Sequence, residues 1–600
     1  MRVELVYLLT MNPSIAFGNF LKWRIRHVKQ RQFILVLSII AGALSGLSAV
    51  VLMNTLYYTN YFLTNGFTFA SGFPVYLLYP VAGIILTVLF VKYMVKEDIS
   101  HGVSKVLFAI SRNDSKISGR NNYASLIACT LTLGFGGSVG PEGPIVLAGS
   151  SIGSNLGRMF RQDYRTRTLL IGCGAAGAIA GIFKAPIAGV VFVIEILMLD
   201  LTMTTLIPLM FSALTGSLVA YFFMGNEVLF SFHLNNPFLL RETPAYLALG
   251  LFTGIVSVYF IKTSIFTEKV IHRMGNPFRI ALSGLILAGL IFIYPSLFGE
   301  GYPVLKSVLH GHGEVIGNPL VFGMLKHSTW GFPLVILFLI MLKVIAMAIT
   351  QGSGGIGGTF APSLFVGGMS GFFLAYSMNH LFGTHYSIST FALVGMAGVM
   401  AGVMHAPLTA IFLIAEITGG YELFIPLISA SSIAYLISHS YSKHSIYTVQ
   451  LASRNELITH DKDQATLSFM HVRQLIEKNF LSVTPDASLG ELVKVVALST
   501  RNIFPVVDEE NNFYGIVTLD SIRGIMFDTS RYESVSVRDL LTITDCSISP
   551  DDSMDMLMQL FQKSDRYNVP VLEEGKYLGF ISRSTLFSQY RQVLKKFSAE

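Results

Sequence analysis

The sequence predicts a polytopic α-helical membrane protein with internally repeated halves and broken or reentrant helices, followed by a smaller soluble α/β domain pair. Three observations lead to this fold class. The chain of 600 residues is 52% hydrophobic and only 13% charged, whereas soluble globular domains carry about 25% charged residues. Long apolar runs alternate with glycine-rich breaks through most of the chain. The C-terminal part changes to short β-branched runs bounded by turn residues, which is typical of strands.

Six apolar runs approach the length of about 20 residues that a helix needs to cross a bilayer. A basic segment, Lys22–Arg31, precedes the first run, and no small-residue cleavage site follows it. We therefore expect a cytoplasmic N-terminal segment over residues 1–32 and no signal peptide. The net charge of +6 is no argument for nucleic-acid binding. The runs are Phe33–Met53, Val75–Val95, Thr204–Phe223, Ala245–Ile261, Ile280–Tyr294 and Phe332–Ile349.

Two glycine-rich breaks, Gly137–Pro144 and Gly352–Pro362, share the frame G-S-x-G-x-x-G. Interrupted helices persist in a membrane only where protein buries them or where they line a polar cavity. Paired breaks in two halves point to a binding site between the halves. Gly174–Pro186 also resembles Gly395–Pro407, which supports a duplication. We predict a membrane domain over residues 33–450, made of two repeats at about 33–225 and 240–450.

A polar linker, residues 451–467, leads to two similar α/β units over residues 468–530 and 531–600. The motif F-P-V-V-D…G-I-V-T of the first unit returns as V-P-V-L-E…G-F-I-S in the second, and this matched spacing indicates a tandem repeat. Each unit is predicted to contain a helix and two strands. The helices are Leu489–Leu498 and Met554–Gln562, and the strands are Ile503–Val507, Tyr514–Thr518, Asn568–Leu572 and Leu578–Ser582.

The glycine-rich breaks have the features of an anion site. Unpaired backbone N–H groups at a helix N-terminus bind anions without a full positive charge, so the ion can leave again. Glu142 is the single acid in the first break, and an acid inside a membrane is a functional candidate. The alternatives are close helix packing for the glycines and helix capping for Glu142. The residues predicted to contact the anion here are Gly140, Pro141, Gly143, Thr359 and Phe360.

These motifs, with F-x-A-P-x-A-G from Phe183 and G-G-x-F-A-P-S-L from Gly357, resemble those of the CLC family of chloride channels and proton/chloride exchangers. The resemblance extends from Phe33 to Gln450. It implies a homodimer in the lipid membrane with one pathway per subunit, which moves chloride, other monovalent anions and, in exchangers, protons. It makes Glu142 the gating residue.

The resemblance also makes Tyr447 a hydroxyl donor to the central anion, although an interfacial aromatic is the alternative. The tandem units resemble a CBS-domain pair, which would lie in the cytoplasm and modulate gating or help to hold the dimer. No cofactor is required and no metal site is expected, because Cys129, Cys173 and Cys546 lack metal or redox spacing.

One departure from the family pattern lies at the predicted inner end of the pathway. The stretch that matches the family motif G-S-G-I-P is Ser100–Lys105, with His101 at the serine position. An imidazole N–H could donate to the anion. Alternatively, the amides of Gly102 and Val103 bind the anion while His101 points elsewhere.

A second departure concerns protons. Ile196 stands where exchangers often carry an internal glutamate, which argues against tight coupling. Glu195 and its twin Glu416 are candidates for a proton pathway or for structural acids. Lys184 and His405 hold equivalent positions, either at a water-filled vestibule or snorkelling to an interface.

The CBS units offer an incomplete nucleotide site. Such domains often bind adenosine phosphates with an acid on the ribose hydroxyls. The matching positions are Thr518 and Asp520 in the first unit and Ser582 in the second. The acid is displaced by one place in the first unit and missing in the second, so adenine-nucleotide binding stays open.

The predicted function is movement of chloride through a pathway gated by glutamate, channel-like or weakly coupled to protons. A strictly coupled proton/chloride antiporter is the alternative. An intramembrane serine hydrolase is a further alternative, because Gly136–Gly140 and Gly149–Gly153 fit G-x-S-x-G and Gly368–Gly371 fits G-x-S-G. A nucleophile needs a base within hydrogen-bond reach, and the sequence supplies no such context.

Overall fold

A computed structural model describes residues 23–65, 75–226, 239–309, 331–453, 470–544, 546–564 and 566–598. The chain divides into two units, Met1–Leu457 and Ile458–Glu600. The division falls within the predicted linker, most of which lies outside the described residues. The same holds for most of the predicted N-terminal segment 1–32.

The first unit is helical throughout its described part. Among the described residues of this unit, seven helices are long and apolar enough to cross a membrane: they occupy Gln30–Leu63, Tyr76–Val95, Tyr164–Phe183, Met203–Met224, Leu240–His272, Gly331–Gly352 and Phe360–Phe382. The helices up to the middle of the unit are α1 Gln30–Asn65, α2 Tyr79–Phe90, α3 Gly102–Arg112, α4 Asn121–Leu133, α5 Glu142–Met159, α6 Tyr164–Phe183, α7 Pro186–Glu195 and α8 Met203–Met224.

The remaining helices of this unit contain the second repeat. Seven of the nine described here have a proline among their first three residues, where a missing N–H costs nothing. They are α9 Thr243–His272, α10 Asn276–Ile293, α11 Tyr302–Leu309, α12 Gly331–Gly352, α13 Phe360–Phe382, α14 Ile388–Met404, α15 Pro407–Ile417, α16 Phe424–Tyr441 and α17 Val449–Ser453.

Each of the six predicted apolar runs forms a helix, but several bounds differ. The run at Ala245–Ile261 continues as helix to His272, because polar and charged side chains are compatible with helix beyond the apolar stretch. The run at Val75–Val95 is not uniform. It begins with a 3₁₀ turn, Val75–Leu78, and ends with a π turn, Val91–Val95, which are variations that hydrophobicity does not reveal.

Glycines let the helices of each half cross closely. A Cβ on Gly149 of α5 would lie 2.3 Å from the carbonyl oxygen of Gly174 in α6. In the second half, a Cβ on Gly367 of α13 would lie 2.4 Å from the carbonyl oxygen of Gly395 in α14. Small residues at crossings bring helix backbones together where no hydrophobic effect drives association. The same crossing therefore occurs once in each half, as the repeated motifs predict.

The second unit contains two β-hairpins. Strand β1, Ile503–Val507, pairs antiparallel with β2, Phe513–Thr518, and β3, Asn568–Glu573, pairs antiparallel with β4, Lys576–Ser582. Strand β1 has the predicted bounds, and the other three extend one or two residues beyond theirs, because cross-strand pairing continues into the turns. Its helices are α18 Leu489–Leu498, α19 Leu519–Ile522, α20 Met554–Lys563 and α21 Arg583–Ser598.

Each hairpin packs on a helix to form its own core. Phe504 and Val517 of the first hairpin pack with Leu492 of α18. Val569 and Ile581 of the second hairpin pack in the same way with residues of α20. The two cores are equivalent in layout, so the sequence repeat is also a structural repeat.

Candidate anion-transport site

Glu142 lies at the first position of α5 and is 1% exposed. Its carboxylate accepts two hydrogen bonds from distant parts of the chain. The Tyr302 hydroxyl donates to Oε1 at 2.7 Å, and the Ala361 backbone N–H donates to Oε2 at 3.3 Å. The Ala361 amide belongs to the first turn of α13, so the acid of one half occupies the helix N-terminus of the other. A carboxylate in this place occupies a position suited to an anion.

The two glycine-rich breaks bond directly to each other. The Gly140 amide donates to the Gly358 carbonyl at 2.9 Å, and the Gly358 amide donates to the Gly140 carbonyl at 2.6 Å. A Cβ on Gly140 would lie 2.2 Å from Oε2 of Glu142. Glycine at position 140 therefore leaves the space that the carboxylate fills. The backbone pairing of the two breaks and the space for the Glu142 carboxylate therefore both depend on these glycines.

The residues predicted around the anion gather at this junction. Pro141 is the N-cap of α5, and Gly143 follows Glu142 in its first turn. Thr359 is the N-cap of α13, which begins at Phe360. The Phe360 ring is buried and stacks on Phe183 with 5.1 Å between ring centroids.

A cavity lies at the other end of the junction, and His101, Gly102, Gly143, Thr359 and Tyr447 are among the residues that line it. A Cβ on Gly102 would lie 2.3 Å from the Gly143 carbonyl oxygen, so α3 begins directly against α5. The N-termini of α3, α5 and α13 therefore meet at this cavity.

His101 is the N-cap of α3 and has a left-handed backbone conformation, with φ of 51°. This region is uncommon for non-glycine residues, although histidine is enriched there. Val103 is buried beside it and lines the same cavity. The Ser104 hydroxyl donates to the Tyr447 carbonyl at 2.7 Å, which holds the tyrosine segment against α3.

Glu195 and Glu416 form a reciprocal pair of helix caps. Glu195, at the end of α7, accepts from the Leu408 and Thr409 amides of α15 at 3.0 and 2.7 Å, and from the Thr409 hydroxyl at 2.6 Å. Glu416 of α15 accepts from the Ile187 and Ala188 amides of α7 at 3.0 and 2.8 Å. Both acids satisfy N–H groups that have no partner within their own helix. This geometry favours the structural alternative for both.

Three further positions help to define the membrane site. Ile196 is buried, so an apolar side chain occupies the place after Glu195. Lys184 is also buried, and its Nζ donates to the Gly225 carbonyl at 2.8 Å. His405 contacts the rings of Tyr435 and His439 at centroid distances of 5.7 and 5.3 Å.

Sequence reasoning missed Tyr302 and Lys343. Lys343 is fully buried in α12, and its Nζ donates to the Gly299 carbonyl at 2.8 Å. This bond fixes the segment that ends at Tyr302, in which Gly301 has φ of 92°. A signal was available for Lys343, because a charged residue inside an apolar run marks a special position. Tyr302, between Gly301 and Pro303, carries no comparable signal.

The candidate nucleotide residues of the second unit make contacts with other residues of that unit. Thr518 caps α19 by accepting from the Ser521 amide at 3.3 Å, and exposed Asp520 forms an ion pair with Arg523 at 2.8 Å. The Ser582 hydroxyl donates to Glu477 at 2.5 Å. Glu477 is therefore an acid beside the second unit's serine, contributed by a distant segment.

In the described part of the chain, the hydroxyls of two hydrolase-motif serines donate to backbone carbonyls. The Ser151 hydroxyl donates to the Ser118 carbonyl at 2.9 Å, and the Ser370 hydroxyl donates to the Val366 carbonyl at 2.7 Å. Ser138 is buried in the glycine-rich turn. Ser151 also accepts a hydrogen bond from the Asn155 side-chain amide at 3.2 Å.

The family described as voltage gated chloride channel matches residues 82–439, and the CBS domain matches residues 472–528 and 537–591. A ClcB-like protein of Ralstonia nicotianae is 32% identical over 387 residues, which cover 63% of this chain and 86% of the relative. A solved CLC-type fluoride/proton antiporter is 25% identical, with a TM-score of 0.58 over 70% of this chain and 98% of the other. A solved eukaryotic CLC transporter is 18% identical, with a TM-score of 0.59 over 92% and 97% of the two chains.

The chain belongs to the CLC family of chloride channels and transporters and carries two C-terminal CBS domains. The predicted family and fold class are confirmed. It is an integral, multi-pass membrane protein of a family that transports ions.

Proposed function

We propose that this protein moves chloride and similar monovalent anions through a pathway in each subunit of a homodimer, and that the Glu142 carboxylate gates the pathway. The observation that carries the proposal is the place of Glu142. Its buried carboxylate accepts from the Tyr302 hydroxyl and from the first turn of α13. A carboxylate that occupies an anion's place blocks the route, and protonation or a rotamer change releases it.

The surrounding residues supply the rest of an anion route. Helix starts at Gly102, Glu142 and Phe360 aim backbone N–H groups toward the junction, and partial charges hold an anion loosely enough for it to leave. Tyr447 and the His101 region form the inner side of this route. The N-terminal segment and the CBS pair lie on the cytoplasmic side, where the CBS pair modulates gating or helps to hold the dimer.

We propose that transport is channel-like or weakly coupled to protons. Buried Ile196 favours weak coupling, because it carries no proton. Strict antiport is the second candidate, and the similarity to a fluoride/proton antiporter supports it. Adenine-nucleotide binding by the CBS pair, at Thr518, Asp520 or Ser582, stays a prediction.

The test is chloride efflux from proteoliposomes with simultaneous recording of external pH, for the native protein, Glu142→Gln and Glu142→Ala. Glutamine keeps the shape of a protonated acid, whereas alanine removes the obstruction. We expect chloride efflux in all three proteins and loss of any proton movement in both variants. Absence of chloride efflux from all three would overturn the transport proposal. Proton movement that persists in Glu142→Ala would overturn the role of Glu142.

A further inference from the structure

The inner cavity contains an acid that the gating mechanism does not use. Glu268 lies in the last turns of α9, is 9% exposed and lines the cavity together with His101 and Gln450. The His101 Nε2 is 3.8 Å from Glu268 Oε2, and the Gln450 amide nitrogen is 3.3 Å from the same oxygen. The same amide nitrogen is 3.4 Å from His101 Nε2. Three segments that are distant in sequence therefore meet in one polar cluster.

A carboxylate in this position is energetically unfavourable, which indicates that it has a function. A buried carboxylate loses hydration, and its negative charge opposes an anion that enters the same cavity. Both costs fall when the carboxylate takes up a proton or when a protonated imidazole lies beside it. The His101–Glu268 pair can hold no, one or two titratable protons, and a site that loads and releases protons needs such a change of state.

The His101–Glu268 pair is also linked to Glu142 by a short series of contacts and covalent neighbours. His101 precedes Gly102, the Gly102 backbone packs against the Gly143 carbonyl, and Gly143 follows Glu142. The side chains of Thr359 and Tyr447 line the same cavity. A proton held by the pair is therefore next to the junction that Glu142 closes from the other end.

We propose that Glu268 and His101 form the inner proton site of this pathway, which takes a proton from the cytoplasmic side and passes it toward Glu142. This inference rests on the proposed function. A proton moves from water to the Glu268 carboxylate, then through a bridging water across the 3.8 Å gap to His101 Nε2, and leaves from the imidazole into the cavity. Each transfer returns its donor to its starting state, so no other reactant is needed.

Few other charged groups in the described residues face the pair. On α9 itself, His272 lies one turn beyond Glu268, and its Nδ1 is 3.2 Å from an Arg279 nitrogen of α10. The segment before α3 contributes Asp98, which accepts from the Ser100 amide and hydroxyl. From α3, Lys105 donates to the Asp98 carbonyl. From α17, the facing side chain is the uncharged Gln450.

The experiment measures protons moved per chloride in proteoliposomes for the native protein and for Glu268→Gln, Glu268→Asp and His101→Gln. We expect the ratio to fall about tenfold or more in Glu268→Gln while chloride efflux continues. In His101→Gln the ratio falls by a similar factor, whatever the change in the chloride rate itself. Glu268→Asp keeps a titratable group and retains most of the ratio. Glu97→Gln, an acid outside the cavity, is the matched control and keeps the native ratio.

The outcomes separate the two proposals. A native ratio in both Glu268→Gln and His101→Gln would overturn the inner proton site and leave Glu142 gating intact. Chloride efflux without any proton movement in the native protein would also overturn the site but not chloride transport. If Glu268→Gln does not reach the membrane, His101→Gln and Glu268→Asp give the same comparison. Absence of native chloride efflux would mean that the proposed function itself fails.

Discussion

The Tyr302 hydroxyl makes the shortest described contact to the Glu142 carboxylate, at 2.7 Å. A hydrogen bond to a charged group contributes about 1.5–3 kcal/mol, which corresponds to a population change of about tenfold to a hundredfold. In the proposed gating, Tyr302 therefore helps to hold the carboxylate in its blocking position. The strength of this bond then contributes to how often the route opens.

The Tyr302→Phe substitution removes the hydroxyl and keeps the ring. We expect the blocking position to lose about tenfold of its population, so chloride efflux from proteoliposomes rises several-fold. Tyr294→Phe is the matched control, because the Tyr294 hydroxyl is also buried but donates to the Val335 carbonyl at 3.1 Å. Equal efflux from both variants would show that Tyr302 does not restrain Glu142.

Glu142 could be predicted from the sequence, whereas its partner could not. An acid between glycines in an apolar region is conspicuous by itself, but Tyr302 lies 160 residues away along the chain. Glu268 was missed for a similar reason. It follows the apolar part of α9 at a position that appears as an ordinary helix end, and its meaning depends on His101 and Gln450 from other segments.

At the scale of elements, α7 and α15 cap each other through Glu195 and Glu416. The acid of each helix accepts from the second and third residues of the other. Side-chain caps contribute about 0.5–2 kcal/mol each, and leaving buried N–H groups without an acceptor costs about 1–3 kcal/mol. The pair therefore joins the two halves of the membrane unit.

We expect Glu195→Ala to lower the thermal midpoint of the detergent-solubilised protein, with a loss of about 2 kcal/mol in unfolding free energy. Glu195→Gln keeps one acceptor oxygen and loses less. Protons moved per chloride stay at the native value in Glu195→Gln, because the acid acts on structure. Exposed Glu422→Ala serves as control. An unchanged midpoint together with an altered proton ratio would restore the proton-pathway alternative.

The repeat could be predicted at this scale because the two duplicated segments have similar residues at the same spacing. Gly174–Pro186 and Gly395–Pro407 carry the α6–α7 and α14–α15 turns, and both turns form as expected. The reciprocal bonding could not be predicted, because it depends on where the two helices cross. The irregular ends of the Val75–Val95 helix also depend on packing rather than on hydrophobicity.

At the scale of the whole molecule, the Glu477 carboxylate of the second unit bonds to segments that are distant from it in sequence. Glu477 accepts from the Ser582 and Thr585 hydroxyls at 2.5 and 2.6 Å and from Arg501 at 2.6 Å. Burial alone would raise the pKa of Glu477. The two hydroxyls and the Arg501 charge outweigh burial and hold the pKa below its usual value.

A lowered folded-state pKa contributes stability above the unfolded pKa, which is about 4.3 for glutamate, and that stability is lost as the pH falls through the folded value. We expect hydrogen exchange of β4 in the full-length protein, corrected for intrinsic rates, to show this loss between about pH 5 and pH 3. Glu477→Gln should remove that part of the pH dependence and cost about 2 kcal/mol at pH 7. Exposed Glu509→Gln is the control, and an identical pH profile in all three proteins would contradict the assignment.

The mutual backbone bonds between Gly140 and Gly358 have a mechanical consequence. Many carriers expose their cargo by turning one half of the molecule against the other. Here such a turn would break both bonds in a buried setting, where each unpaired amide or carbonyl costs several kcal/mol. The scaffold is therefore expected to stay still while ions pass. In the proposed gating, the maximum turnover rate is then set by how fast the Glu142 side chain changes its rotamer, rather than by the rate of a domain motion.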